Sequence, residues 1–329
     1  VPSLSPAIAE IRLAVRTALA DLPEGSTVIV ALSGGADSLA LAAATAFEAS
    51  RLGLTVASVT IDHGLQEASA EVAARAADSA KALGLDALVV RVDVDGAGGP
   101  EAAAREARYR VLRDAAADAG ASAVLLGHTL DDQAETVLLG LARGSGAASL
   151  QGMSPAREDE EGTRWLRPLL GVRRETTRAF CAASDLQPWE DPHNQDARFA
   201  RVRARNSVLP VLEAELGPGI AEALARTAEQ LREDTEAFDE MIHETIEDIV
   251  EHAEAGISVS VAALAANPAA LRNRIIRLVV DSEFGVSLTR TQTVEVARLV
   301  TDWSGQGPID LPGCSAVRRG GQLVFAARD

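Results

Sequence analysis

The chain has 329 residues, 47% of them apolar and only 3% aromatic, and a formal net charge of −17. That length suits two domains, and the apolar share excludes a disordered chain. The acidic balance excludes a protein coated in basic charge that binds any nucleic acid, and leaves room only for a local basic patch. The two cysteines, Cys181 and Cys314, match no disulfide framework, paired-cysteine motif or zinc spacing, which points to a reducing, cytoplasmic setting. Glu10, Arg12 and Arg16 interrupt the first twenty residues, so neither a secretion signal nor a membrane span is expected.

In chain order, residues 5–21 read as a helix opened by Ser5-Pro6. Residues 27–32 are an apolar, β-branched run, a buried strand, followed by a glycine turn and a helix to about Arg51. A second strand is predicted over 54–61, an alanine-rich helix over 67–83 and a third strand over 85–94. After a glycine-rich loop, 101–119 is helical, 122–127 is a fourth strand and 131–143 another helix. This alternation predicts an α/β fold, a doubly wound parallel sheet with helices on both faces. The pattern then changes. Residues 144–153 and 157–162 read as loops, 172–184 and 197–213 as helices, and 213–254 as a long acidic helix. Two further helices over 268–303 and a hairpin within 305–327 complete a second, mainly helical part. The expected domains are 1–212, a connecting helix 213–255, and 256–329. Charge is segregated: 206–262 holds 14 acids against 2 arginines, and 164–205 holds 9 arginines against 5 acids.

The strongest signal is Ser33-Gly34-Gly35-Ala36-Asp37-Ser38, directly after a predicted strand and opening a predicted helix. Its glycines let the backbone turn sharply and approach a ligand. Free N–H groups at the helix start favour an anion, and the serine hydroxyls add donors. Five specified residues recur by chance at roughly 10⁻⁶ per position. The lysine-bearing phosphate loop does not fit, because the only lysine, Lys81, lies mid-helix without the required glycines, and the string is not a G-x-G-x-x-G turn either. The string resembles the PP-loop of the ATP pyrophosphatase superfamily. That resemblance implies cleavage of ATP between its α- and β-phosphates, with Asp37 near Mg²⁺.

Further segments narrow the resemblance: Ile61-Asp62-His63-Gly64-Leu65, Ala104-Arg105-Glu106-Ala107-Arg108-Tyr109, and Gly127-His128-Thr129-Leu130-Asp131-Asp132-Gln133-Ala134-Glu135-Thr136. Arg143-Gly144-Ser145-Gly146, Arg167-Pro168-Leu169-Leu170 and Asp191-Pro192-His193-Asn194 follow. Together they are similar to the tRNA(Ile)-lysidine synthetase family, from about residue 28 to 210. The resemblance implies ATP-dependent ligation of free L-lysine to C2 of the wobble cytidine of a CAU-anticodon isoleucine tRNA. The reaction runs through an adenylated cytidine and releases AMP and pyrophosphate. It further implies Asp37, Arg108 and Asp132 as catalytic residues. Ser33, Gly34, Gly35, Ala36, Asp37, Ser38, Asp62, His63, Arg105 and Arg108 would bind ATP. His128, Asp131, Asp132 and Glu135 would bind lysine, and Arg143, Asn194, Arg201 and Arg205 tRNA. The family pattern has Asn where Val202 stands and Ser where His193 stands.

Several of these residues also have plain structural readings. Thr129 followed by two acids is a good helix start. Arg105 could pair with Glu101 on the surface. Arg201 and Arg205, four apart on one helix face, could simply be solvated. Other PP-loop enzymes, a tRNA thiolase or an amide synthetase, and a non-catalytic nucleotide-binding module are the alternatives. An iron–sulfur thiolase needs more cysteines than this chain has. The five histidines show no zinc spacing. Oligomeric state is left open, a homodimer included. If tRNA binds, Arg143 and the 164–205 arginines should lie on the PP-loop side, with the 213–254 acids turned away.

Overall fold

The chain opens with helix α1 (Pro6–Leu19), followed by β1 (Thr27–Ala31), α2 (Ala36–Leu52), β2 (Thr55–Asp62), α3 (Ser69–Ala82), β3 (Asp86–Arg91), α4 (Pro100–Asp118), β4 (Ala123–Leu125) and α5 (Leu130–Ala142). Next come α6 (Ala147–Leu150), β5 (Ala156–Glu158), β6 (Arg164–Leu166), α7 (Arg174–Ala183), a 3₁₀ turn (Pro192–Gln195), α8 (Ala200–Arg203), a π segment (Ala204–Val208), α9 (Leu209–Leu216) and α10 (Ile220–Ile249). The computed structural model describes residues 5–64, 68–92, 100–144, 146–253 and 256–328. Two compact units, Val1–Arg232 and Glu233–Asp329, divide within α10.

In the first unit six strands lie in the order β3-β2-β1-β4-β6-β5, all neighbours parallel except the β5–β6 pair. The expected doubly wound sheet is present. Its central strand is apolar from Val28 to Ala31 because both faces are covered. Val28 and Val30 meet Ile11, Val15, Leu19, Leu39 and Phe180 on one side. Ile29 meets Leu112, Val124 and Trp165 on the other. From β1 the chain winds outward to β3, then returns to place β4 on the opposite flank of β1. The loops after β1 and β4 therefore part at a topological switch point, where open α/β sheets bind ligands.

Some local expectations needed correction. The expected 157–162 loop is largely the turn of a hairpin, which β5 and β6 flank. Asp159 explains it: its carboxylate accepts from the Thr163 amide (2.8 Å), the Trp165 indole (2.8 Å) and Arg113 (3.1 Å). Three-residue strands are too short to leave a period in the sequence. Residues 147–150 make one helical turn inside the expected loop. The predicted 197–213 helix is interrupted by the π segment, and the predicted 213–254 helix breaks at Gly217-Pro218-Gly219. There Glu213 accepts from the Gly219 amide (2.7 Å) and the Ala221 amide (3.3 Å), closing the turn into α10.

The second unit holds β7 (Val250–Ala253), β8 (Gly256–Ser260), α11 (Val261–Ala266), α12 (Ala269–Phe284), α13 (Arg290–Thr301), β9 (Ile309–Leu311), β10 (Cys314–Arg319) and β11 (Gln322–Ala327). The β10–β11 hairpin was expected, but it is the middle of a five-stranded antiparallel sheet ordered β7-β8-β11-β10-β9. Val259, Ile275, Ile276, Val280, Val296 and Phe325 form its core.

Candidate active site

The Ser33–Ser38 loop leaves β1 and closes on itself. Gly34 takes φ +83°, a conformation that disfavours any side chain. The Ser33 amide donates to Ser38 Oγ (3.2 Å), and Ser38 Oγ donates to the Gly35 carbonyl (3.0 Å). Gly35 then stands as the N-cap of α2, and no side chain caps the helix. The first-turn amides of α2 are thus left to an anion, with the helix dipole behind them. The loop after β4 packs on this turn. A Cβ on Gly127 would lie 3.2 Å from the Ser38 amide nitrogen and 3.3 Å from the Asp37 carbonyl, so only glycine fits there without a shift.

Beside the loop lies a carboxylate cluster. Asp132 accepts from Thr129 twice, at its amide (2.8 Å) and its hydroxyl (2.9 Å), so the helix-start reading of this motif holds as well. Asp37 accepts from the Thr177 hydroxyl. Arg174, in the first turn of α7, then joins the acids. Its Nη2 donates to Asp132 (2.6 Å), Nη1 to Glu135 (3.3 Å), Nε to Asp37 (3.4 Å), and its backbone amide to Asp131 (2.7 Å). Arg205, in the π segment, donates to Glu135 from Nε (2.7 Å) and Nη2 (3.1 Å), and lies 3.4 Å from Asp132. Burial opposes charge on Asp132, but Arg174 and the Thr129 amide outweigh it and hold that carboxyl below its ordinary range. Burial, with repulsion from Asp132, pushes the Asp37 carboxyl upward despite Thr177 and Arg174. The Arg174 guanidinium, though buried, is held protonated even more firmly than usual by Asp132 and Glu135.

A cationic wall faces the same place. Burial, and then Arg108, lower the basicity of His63. Burial brings His128 down to about 4, with Asp132 resisting and Arg167, Arg105 and Arg108 assisting. His128 is therefore a neutral imidazole near pH 7. Arg108 keeps solvent-exposed surface while the protein crowds around it, and it makes no ion pair among the described residues. Arg105 lies over the Tyr109 ring (4.9 Å), and Tyr109 leans on Trp165 (4.9 Å). Arg167 is 5% exposed and donates to the Ser154 carbonyl (2.7 Å), while its Nε has no partner among the described residues. The Nδ1 atoms of His63 and His128 are likewise buried without partners among the described residues. Buried polar atoms of this kind suit a polar ligand.

The structure thus brings together Asp37, Asp131, Asp132, Glu135 and Arg205 on one side, and His63, Arg105, Arg108 and His128 on the other. Asp62 is drawn into the turn toward α3, accepting from the Ser69 hydroxyl and the Gly64 amide (3.0 Å). Arg143 does not join: it follows the last turn of α5, about 12 Å along the helix from Glu135 and about 16 Å from Asp132. The Asn194 side chain lies outside the described residues. Arg201 donates to Thr136 (3.2 Å), on the face of α5 that also carries Glu135. The 213–254 acids are not all turned away: Arg173 pairs with Glu222 (2.5 Å) and Glu213 (3.7 Å). Sequence reasoning missed Arg174, Thr177 and Arg167 as site residues. A faint signal existed for Arg174, since two arginines open a helix where the dipole favours acids.

For Mg²⁺, the described residues hold no group of three or more His, Cys, Asp or Glu able to bind a metal alone. That ion commonly takes one or two carboxylates and completes its shell with phosphate oxygens and water. Asp37 suits it: a hard oxygen donor whose charge is incompletely offset, next to an uncapped helix start.

Comparison with known proteins agrees with this layout. A family model described as a PP-loop domain matches residues 9–212, and one described as a TilS substrate binding domain matches 260–324. The tRNA(Ile)-lysidine synthase of Leifsonia xyli is 60% identical over 92% of this chain and 91% of its own length. That of Salinispora tropica is 52% identical over 98% and 97%. Among solved structures, a U34-tRNA thiolase from Methanococcus maripaludis superposes with a TM-score of 0.60 at 19% identity, over 69% of this chain and 80% of that one, a likeness of fold.

Proposed function

The chain belongs to the tRNA(Ile)-lysidine synthase family, and from that premise we propose how its sheet edge carries out the ligation of lysine to tRNA. The observation that carries the reading is the pairing of an anion site with a cation site. The uncapped start of α2 receives the ATP phosphates. Next to it, Asp37, Asp132 and Glu135 bring three negative charges against the two guanidiniums of Arg174 and Arg205. An acid cluster of this kind suits an ammonium group.

In the first step, O2 of the wobble cytidine of a CAU-anticodon tRNA attacks the α-phosphorus of ATP. The bond to the β-phosphate oxygen breaks and pyrophosphate leaves. The amides of Ala36, Asp37 and Ser38, with Arg108, stabilise charge on the departing phosphates. Held by Asp37, Mg²⁺ would add Lewis-acid stabilisation there. His128, neutral near pH 7, offers a hydrogen bond, leaving the cationic role to arginine. In the second step the lysine ε-amine attacks C2 and AMP leaves. Asp132 and Glu135 orient the incoming ammonium, and one of them takes its proton before attack. Arg201, beside Thr136, is the tRNA-phosphate contact nearest the site.

The test is pyrophosphate release from ATP with lysine and isoleucine tRNA together, then with each alone. Lysidine formation needing both substrates is expected. ATP cleavage indifferent to tRNA would sink the reading.

A further inference from the structure

We infer that Arg174 is a positioning residue that sets the distance between the phosphate end and the amine end of the site. The inference rests on the functional reading above and deepens it.

Arg174 is placed for this by the fold. It opens α7, while Asp37 sits in the first turn of α2, and Asp132 and Glu135 sit on α5. The acids that frame the two chemical steps therefore belong to two separate helices, with β2, α3, β3, α4 and β4 between them in the chain. A third helix supplies the tie. Its anchor is firm, because the Arg174 amide donates to Asp131 (2.7 Å) and its side chain is only 13% exposed.

The bonding pattern favours spacing over simple stabilisation. A guanidinium binds one carboxylate most strongly with two parallel bonds. Arg174 instead gives each of its three nitrogens to a different acid, one at 2.6 Å and two at 3.3–3.4 Å. Arg205, by contrast, makes the fork-like pair with Glu135. An arginine at a helix N-terminus also works against the dipole. A guanidinium whose bonds are spread one each over three acids, only one of them short, is poorly explained as a staple. A planar fork with three divergent donors is, however, well suited to holding three carboxylates at fixed separations. Lysine has the same charge but only a compact point of contact.

The experiment compares wild type, Arg174→Lys and Arg174→Gln, each with tRNA, ATP and lysine. Melting temperature and ATP affinity serve as controls. Arg174→Lys is expected to melt within a few degrees of wild type and to bind ATP within about threefold. Its KM for lysine should rise at least tenfold, and lysidine formation should fall further than pyrophosphate release. Arg174→Gln should show the same split more strongly. Equal losses in ATP and lysine parameters, or an unchanged lysine KM in Arg174→Lys, would overturn the inference. So would loss of the fold in both variants, which would make the arginine a staple. Absence of lysine-dependent AMP formation in the wild type would instead remove the functional reading itself, and the inference with it.

Discussion

At the scale of single residues, the site is built from charges that the fold keeps apart from water but does not fully neutralise. Asp37 shows the consequence. Its folded pKa is raised, so any stability it contributes is present at low pH and is lost as pH rises through the folded value. At neutral pH its charge is a cost to folding. Asp37→Asn keeps the shape and an acceptor for Thr177, and should melt at or above the wild-type temperature. It should nevertheless lose about 10²–10³ in pyrophosphate release, the usual scale for removing one major electrostatic element. Near-normal turnover would contradict the role given to Asp37. His128 titrates in the other direction. With a folded pKa near 4 against an ordinary 6.5, its contribution to stability is whole above pH 6.5 and declines as pH falls toward 4. The lost amount is about 1–3 kcal/mol after allowing for its partial exposure. His128→Gln should flatten this limb of the stability curve, and an NMR titration of the wild type should find the ring neutral at pH 6. A ring protonated at that pH would remove the neutral-donor role.

At the scale of elements, the important contact is the segment 200–216 lying on α5. Helical spacing puts Arg201 and Arg205 on one face, as the sequence implies, but that face meets Thr136 and Glu135. The two arginines should therefore separate in experiment. Glu135 is fully buried, so Arg205→Ala leaves a carboxylate served by Arg174 alone. The expected loss is about 1–3 kcal/mol, reduced because the Arg205 side chain is 27% exposed, together with a higher lysine KM. Arg201→Ala should leave stability nearly unchanged. If it holds one tRNA phosphate, it should flatten the log–log salt dependence of tRNA binding by roughly 0.7–0.9. Equal behaviour of the two variants would mean that the segment acts as one solvated face. The π segment that carries Arg205 is itself a local departure from helical geometry of the kind often found at functional sites.

At the scale of the molecule, the net charge of −17 must be reconciled with a polyanionic substrate. Part of the acid is already used: Glu213 closes the turn into α10 and Glu222 pairs with Arg173. Along α10, Ala221, Ala228, Thr235 and Ile242 are buried at seven-residue intervals, while Glu229, Glu233, Glu236 and Glu240 are exposed. Those four make no ion pair among the described residues and contribute a repulsive field. Changing them to Gln should quicken tRNA association at low salt, with the difference fading as the Debye length shrinks to about 3 Å near 1 M salt. An association rate insensitive to these changes would show that the acids are screened from the path of the tRNA. The described residues contain no helix long and apolar enough to cross a membrane.

The sequence by itself determined the parallel sheet, because strands covered on both faces read as continuous apolar runs and the intervening helices supply the crossovers. It also determined the phosphate loop, because the needed backbone geometry demands Gly34 and the chemistry is contiguous along the chain. Only the tertiary structure decided which charges meet. Arg174 and Asp37 are 137 residues apart, and Arg205 and Glu135 are 70 apart. No local pattern records such pairs, since arginine at a helix start or on a helix face reads as solvated until a second element is packed against it. The same reason hid the β5–β6 hairpin, whose strands owe their pairing to Asp159 and Arg113 and not to any alternation of their own.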